Sequence, residues 1–278
     1  MSANINEKSG EIMLSNLIYL QISSTDDFCI TWGISAGDFV NGISQIPQNV
    51  ILLDGHIERA NSYNAHSKFS TITGRSQVKE YIIGEHKNFN DKWMDYQTKE
   101  GLDSLSDGEI ADLLYFVHMG MPRYQRNPFS VKLGNEIVYL GGNNGFKRIY
   151  FKNLAELDHI VKLSIKRHLR SQRNSKRIFP RPLLIKDLDN EILYDLFHLS
   201  SRGLIIPFEL AREQHRRFDI PLLIVKKSQG QGKVIWGNET QLRSATDQVG
   251  TLTYNTLSNK WSIEFNEQQD ERDLNDLR

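Results

Sequence analysis

Three residues in the first third of the chain have the types and spacing for metal-dependent hydrolysis. Asp54 closes the apolar run Asn49–Asp54, and Glu85-His86-Lys87 closes the run VKEYIIGEHK. An Asp at the end of one strand and a Glu-x-Lys on the next can hold Mg²⁺ between two carboxylates while the lysine orients the attacking water. That is the chemistry of a nuclease of the restriction-endonuclease type. On a strand, alternation sends Glu85 and Lys87 to one face. Asp54, Glu85 and Lys87 are thus the candidate catalytic set, Asp54 and Glu85 the candidate metal ligands, and Mg²⁺ the cofactor this reading requires. The competing reading is that charged residues gather where strands emerge into solvent, and thirty residues separate Asp54 from Glu85, more than one tight hairpin needs.

A second set of residues could bind rather than react. Between Lys162 and Arg181 lie eight basic residues (Lys162, Lys166, Arg167, Arg170, Arg173, Lys176, Arg177 and Arg181) and no acidic one, while the chain as a whole balances 34 basic against 34 acidic residues. The remaining segments are each slightly acidic, so a neutral total conceals a dipolar molecule. At 100° per residue Leu154, Leu157, Val161, Ile165 and Leu169 share one arc of a helix, and Lys162, Lys166, Arg167, Arg170 and Arg173 lie opposite. Asn153 and Glu156 form a capping box that predicts a start at Leu154. Such a helix fits an anionic partner, nucleic acid first and an acidic protein second. A solvated helix face rich in Lys and Arg is the alternative.

Other motifs carry less. Gly33-Ile34-Ser35-Ala36-Gly37 matches the Gly-x-Ser-x-Gly elbow of serine hydrolases, but that elbow needs a parallel sheet and a helix directly after it, and the expectation here is a tight turn. Gly230-Gln231-Gly232-Lys233 lacks the Ser or Thr of a phosphate loop and reads as a hairpin turn. The single His-x-Ser, His198-Leu199-Ser200, has no second copy. No His-x-x-x-His pair stands on a helix, so the histidines spell no zinc site. Cys29, the only cysteine, excludes an intrachain disulfide and a multi-cysteine zinc site, and reads as packing. Without an apolar run of about 20 residues or a leader, the chain is expected to be soluble, cytoplasmic and without a membrane partner.

The elements that must position these residues alternate strands with strands. Strands are expected at Leu14–Ile22, Phe28–Ile34 and Asn49–Asp54, then a helix over 88–99 and a capped helix from Ser106 through Val117. A three-stranded meander follows at Ser130–Leu133, Glu136–Leu140 and Lys147–Lys152, then the basic helix. Helices at Asp189–Ser200 and Pro207–Phe218 precede strands at Leu222–Lys227, Lys233–Trp236, Thr251–Asn255 and Lys260–Phe265. The class is α+β, antiparallel β-meanders packed with several helices, including a central amphipathic basic helix. The chain divides into 1–152 (strand/helix core and meander), 153–182 (basic helix and linker) and 183–278 (helical pair, antiparallel strands and acidic tail).

Overall fold

A computed structural model of the chain describes residues 16–23, 27–53, 57–84, 91–119, 128–142, 145–175, 184–225 and 246–266. In chain order, β1 (Leu17–Ser23) and β2 (Phe28–Trp32) form a hairpin, followed by α1 (Ala36–Gly42), β3 (Asn49–Leu52), β4 (Ser62–Tyr63), β5 (Ser70–Thr73), α2 (Arg75–Ile83) and β6 (Lys92–Asp95). Helices α3 (Lys99–Asp103) and α4 (Asp107–Met119) lead to β7 (Ile137–Gly141) and β8 (Lys147–Phe151), which deliver the chain into α5 (Glu156–Ser175). After α6 (Asn190–Ser200) come β9 (Leu204–Pro207), β10 (Arg212–Gln214), β11 (Arg217–Val225), β12 (Thr246–Asn255) and β13 (Lys260–Phe265).

The fold is α+β. Among the described residues thirteen strands build one antiparallel sheet in the order β13-β12-β11-β9-β1-β2-β8-β7-β6-β3-β5-β4, with β10 paired to β11. β1 is the seam, since it pairs with β2 on one side and β9 on the other. Strands from 1–152 and from 183–278 therefore share one hydrogen-bonded sheet.

Burial explains which sequences took the middle. Residues Leu204–Pro207 are all buried, as a strand covered on both faces requires. In β6, Trp93 joins the core beneath α1, α2, α5 and α6, while its neighbour Met94 joins the core beneath α3 and α4 on the other face. Towards the C-terminal edge the described residues cover only one face, and β11 alternates residue by residue between buried and half-exposed.

Several expectations are corrected by this packing. Residues 88–99 contain strand β6, in which the neighbours Trp93 and Met94 bury in opposite cores, the two-residue alternation of a strand rather than the 100° step of a helix. The run VKEYII belongs to helix α2, where Val78, Tyr81 and Ile82 are buried together at helical spacing. Pro207–Phe218 is no helix: Pro207 ends β9 opposite Leu17, and the chain turns through Phe208–Leu210 into β10 and β11. Residues 131–134 form a turn, with Gly134 at φ 62° donating its N–H to Ser130 O at 2.8 Å. The meander is thus a hairpin, β7–β8, and buried Asp95 ties its start by accepting the N–H groups of Glu136 (2.8 Å) and Ile137 (2.7 Å). The Ser106 capping box does form, with Ser106 N donating to Glu109 at 2.7 Å and Glu109 N to Ser106 Oγ at 3.3 Å. Helix α6 and strand β13 lie where the sequence expects them, with Asn259 at φ 53° in the turn before β13. The proposed strand at 233–236, the turn at 230–233 and the tail from 267 lie outside the described residues.

Helix α5 begins at Glu156, and its cap differs from the expected box. Asn153 Oδ1 accepts from Ala155 N at 3.1 Å, but the Glu156 carboxylate reaches Ser44, accepting from its N and its Oγ at 2.6 Å each. That bond ties α5 to the residues just after α1. The two helices are close enough that Gly42 of α1 has no room for a side chain: a Cβ there would lie 2.5 Å from Ile160 Cγ1 and 2.6 Å from Ile160 Cα. Gly42→Ala should therefore push α5 off α1 and destabilise the fold by about 1–3 kcal/mol, measured as a lower urea midpoint at unchanged slope.

Candidate functional site

The site is built on α5, whose sequence sorts its residues around the axis. Leu157, Ile160, Val161, Ile165 and Leu169 are buried in the main core, and Ser164, His168 and Gln172 are polar residues on the same buried arc. On the opposite side Lys162, Lys166, Arg170 and Arg173 follow one another at four- and three-residue steps. They form a stripe about 16 Å long at 1.5 Å per residue.

These cations differ in what they do. Lys166 is paired with Asp187 and its side chain is only 15% exposed. The ammonium beside Asp187 holds that carboxyl below the ordinary range. Lys162 donates to the neutral amide oxygen of Asn190 at 2.8 Å, which leaves its charge uncompensated by that contact. Arg170 is exposed, and Arg173 is half-exposed in the last turn. Lys176, Arg177 and Arg181 lie outside the described residues.

Arg167 faces inward to the turn between β2 and α1. Its Nε donates to Asp38 at 2.7 Å and its Nη2 to Gly33 O at 2.6 Å. Asp38 also accepts from Ser35 N at 3.2 Å, and Ser35 Oγ accepts from Asp38 N at 3.0 Å, a complete capping box for α1. A helix thus does follow Gly33-Ile34-Ser35-Ala36-Gly37, against the expectation of a plain turn. Gly33, at φ 85° and with no space for a Cβ against Leu17 O, makes the sharp corner. Both sheet neighbours of β2 are antiparallel, and Ser35 Oγ is occupied as a helix cap.

His168 completes the corner. Its Nδ1 lies 2.6 Å from Asn16 Oδ1, its Nε2 lies 2.9 Å from Arg167 Nη2 and 2.7 Å from Gly33 O, and its ring stacks on Phe208 at 5.2 Å. Burial, with the Arg167 charge adding to it, pushes its pKa down to about 4, so the ring is neutral at physiological pH. Arg167 can only donate, so Nε2 carries the lone pair and Nδ1–H donates to Asn16. Gly33 O is satisfied by Arg167. Both ring nitrogens are engaged, and no Ser35–His168 catalytic dyad is assembled.

Lys147, at the start of β8, donates to the next carbonyl, Ile34 O, at 2.6 Å. Burial pushes its pKa down to about 8, with the Arg167 charge acting in the same direction. Two cations therefore hold two consecutive carbonyls at the β2–α1 corner. Sequence reading missed Asp38, Lys147 and His168. The available signals were Ser35-x-x-Asp38 as a capping pattern and three polar residues (164, 168 and 172) on an otherwise apolar helical arc.

The nuclease set fares differently. Asp54, Glu85 and Lys87 lie outside the described residues; the described segment before Glu85 is helix α2, which ends at Ile83 with Gly84 as its C-cap. Among the described residues no group of three or more His, Cys, Asp or Glu side chains is placed to hold a metal ion. No described helix is long and apolar enough to cross a membrane, and Cys29 is a buried free thiol. Searches against protein-family models, curated proteins and solved structures return no match to this chain.

The buried ionisable groups make a pH prediction. Asp95 is pushed up by burial from 3.8 to about 6, so its contribution to stability falls as pH rises through that window. His168 is pushed down from 6.5 to about 4, so the unfolded chain binds the extra proton and stability rises with pH through nearly the same window. The two oppose each other. Asp95→Asn, whose Oδ1 can still accept both amides that Asp95 Oδ1 accepts, should expose the His168 dependence: stability of the variant should climb between pH 4.5 and 6.5 by up to about 1.4 kcal/mol per unit more steeply than wild type. Urea unfolding at three pH values in that window checks it, and parallel curves would exclude the assignment.

Proposed function

We propose that the chain binds an anionic partner, a nucleic-acid backbone, along the outer stripe of α5, and that it works as a soluble protein in the cytoplasm. The observation that supports this is the division of labour on the helix. Lys166 and Arg167 are consumed by Asp187 and Asp38, while Lys162 and Arg170 stand on the outer stripe of a helix whose other face is anchored in the core. Cations held on one face of a helix by its anchored opposite face, here two turns apart, can neutralise phosphates without reading bases. The favourable step is release of the counterions those phosphates had condensed.

Affinity for a short DNA duplex or a single-stranded RNA should then fall with salt. Arg170→Ala should flatten the log–log salt slope by about 0.9, the value for one phosphate that is no longer neutralised. Lys166→Met with Asp187→Asn removes a pair that is already neutral, and should leave the slope unchanged. Fluorescence anisotropy across a salt series is the measurement. No binding at low salt, or an unchanged slope in the arginine variant, would overturn the reading and favour an acidic protein as the partner.

A further inference from the structure

We propose that β13 pairs with β13 of a second copy across a two-fold axis, joining two sheets edge to edge into one. This interaction surface is independent of the nucleic-acid reading.

The phase of the ladder identifies what the edge offers. Asn266 N donates to Val249 O at 3.0 Å, and the pairing of β12 with β13 continues in unbroken register from Phe265 opposite Gly250 to Lys260 opposite Asn255. In an antiparallel ladder hydrogen-bonded pairs alternate, so Ser262 and Glu264 turn their N–H and C=O inward to β12. Trp261, Ile263 and Phe265 turn theirs outward. Among the described residues β13 is the end of the sheet, with β12 its only strand neighbour. The strand has no proline, and its pairing shows no bulge, so two of the usual protections of an exposed edge are absent.

The side chains say which occupant fits. Lys260, Ser262 and Glu264 are exposed on the polar face; Trp261 and Ile263 belong to the core beneath the helices, and Phe265 beyond them is 46% exposed. A two-fold pairing with Ser262 on the axis sets Lys260 opposite Glu264 of the second copy, twice by symmetry, and Trp261 opposite Ile263. Centring on Ile263 instead would set Lys260 opposite Asn266 and Glu264 opposite Ser262, with no ion pair. Only the first register is charge-complementary. Because the two-fold of an antiparallel strand pair stands perpendicular to the sheet, both helical layers, and with them both α5 stripes, come to one side of the joined sheet.

The test uses the full chain and its single native, buried cysteine. On the axis, Ser262 of the two copies would form a non-hydrogen-bonded pair with Cα atoms about 4.5 Å apart, within disulfide range. Ser262→Cys should give a crosslinked dimer under mild oxidation on a non-reducing gel, whereas Lys260→Cys, which faces Glu264 rather than itself, should not. Light scattering of the wild type should give twice the chain mass. Ile263→Pro, which removes an N–H that β12 does not use, should give a monomer with unchanged circular dichroism. A wild-type chain that stays monomeric throughout the micromolar range, a dimer in which Ser262→Cys fails to crosslink, or crosslinking by Lys260→Cys in its place would overturn the proposal.

Discussion

The carbonyl of Gly33 is the point on which the arrangement of the helical layer depends. It sits at the corner where β2 becomes α1, with no space for a side chain, and Arg167 reaches it from α5 while Arg167 Nε holds Asp38 inside α1. A carbonyl at the end of a central strand must find a donor, since an unmet buried acceptor costs about 1–3 kcal/mol. Meeting that need with a guanidinium from a distant helix locks the rotation of α5 about its axis, which in turn decides which of its cations face outward. His168 and Asn16 extend the same network to Gln172 and on to the Glu209 carbonyl, so the corner, α5 and the end of β9 form one hydrogen-bonded unit.

Burying so many charged and polar groups is costly unless each is satisfied, and here pairs of residues share the cost. Asp38 is 9% exposed at its side chain and accepts from Arg167 and from Ser35, while Lys147 donates a hydrogen bond to Ile34 O and remains charged at neutral pH despite its depressed pKa. These contacts specify a geometry more than they add net stability, because desolvation offsets most of the Coulombic gain. They leave little freedom for chemistry at the corner: Ser35 Oγ, both ring nitrogens of His168, and Arg167 Nε and Nη2 are engaged by neighbours. Binding on the outer surface is the use that this rigidity suits.

The sheet divides its burial in step with this. Its central strands carry apolar residues on both faces, and helices α3 and α4 cover the side away from α5. Towards β13 the second face becomes polar, with Arg217 donating to Asp219 at 2.5 Å and lying 3.4 Å from Glu264. The half that is covered twice is also the half whose strands sequence alternation describes poorly, and the half covered once is where alternation is clean.

Local chemistry determined a good deal without help from the fold. The Ser106–Glu109 cap, the β7–β8 hairpin, α6, β13 and the amphipathic division of α5 were legible because each depends on neighbours within about four residues in the chain or on a single exposed face. The α+β class followed from strands succeeding strands. What the sequence could not decide was which runs become strands buried on both faces: LIIP and KWMD became strands and VKEYII a helix, and only their neighbours in the sheet or against α1 select between the two. Nor could it separate Arg167 from Arg170. Three positions apart on one helix, they differ because a carbonyl and a carboxylate far earlier in the chain, those of Gly33 and Asp38, stand within reach of one and not of the other, and long-range proximity of that kind is a property of the tertiary structure alone.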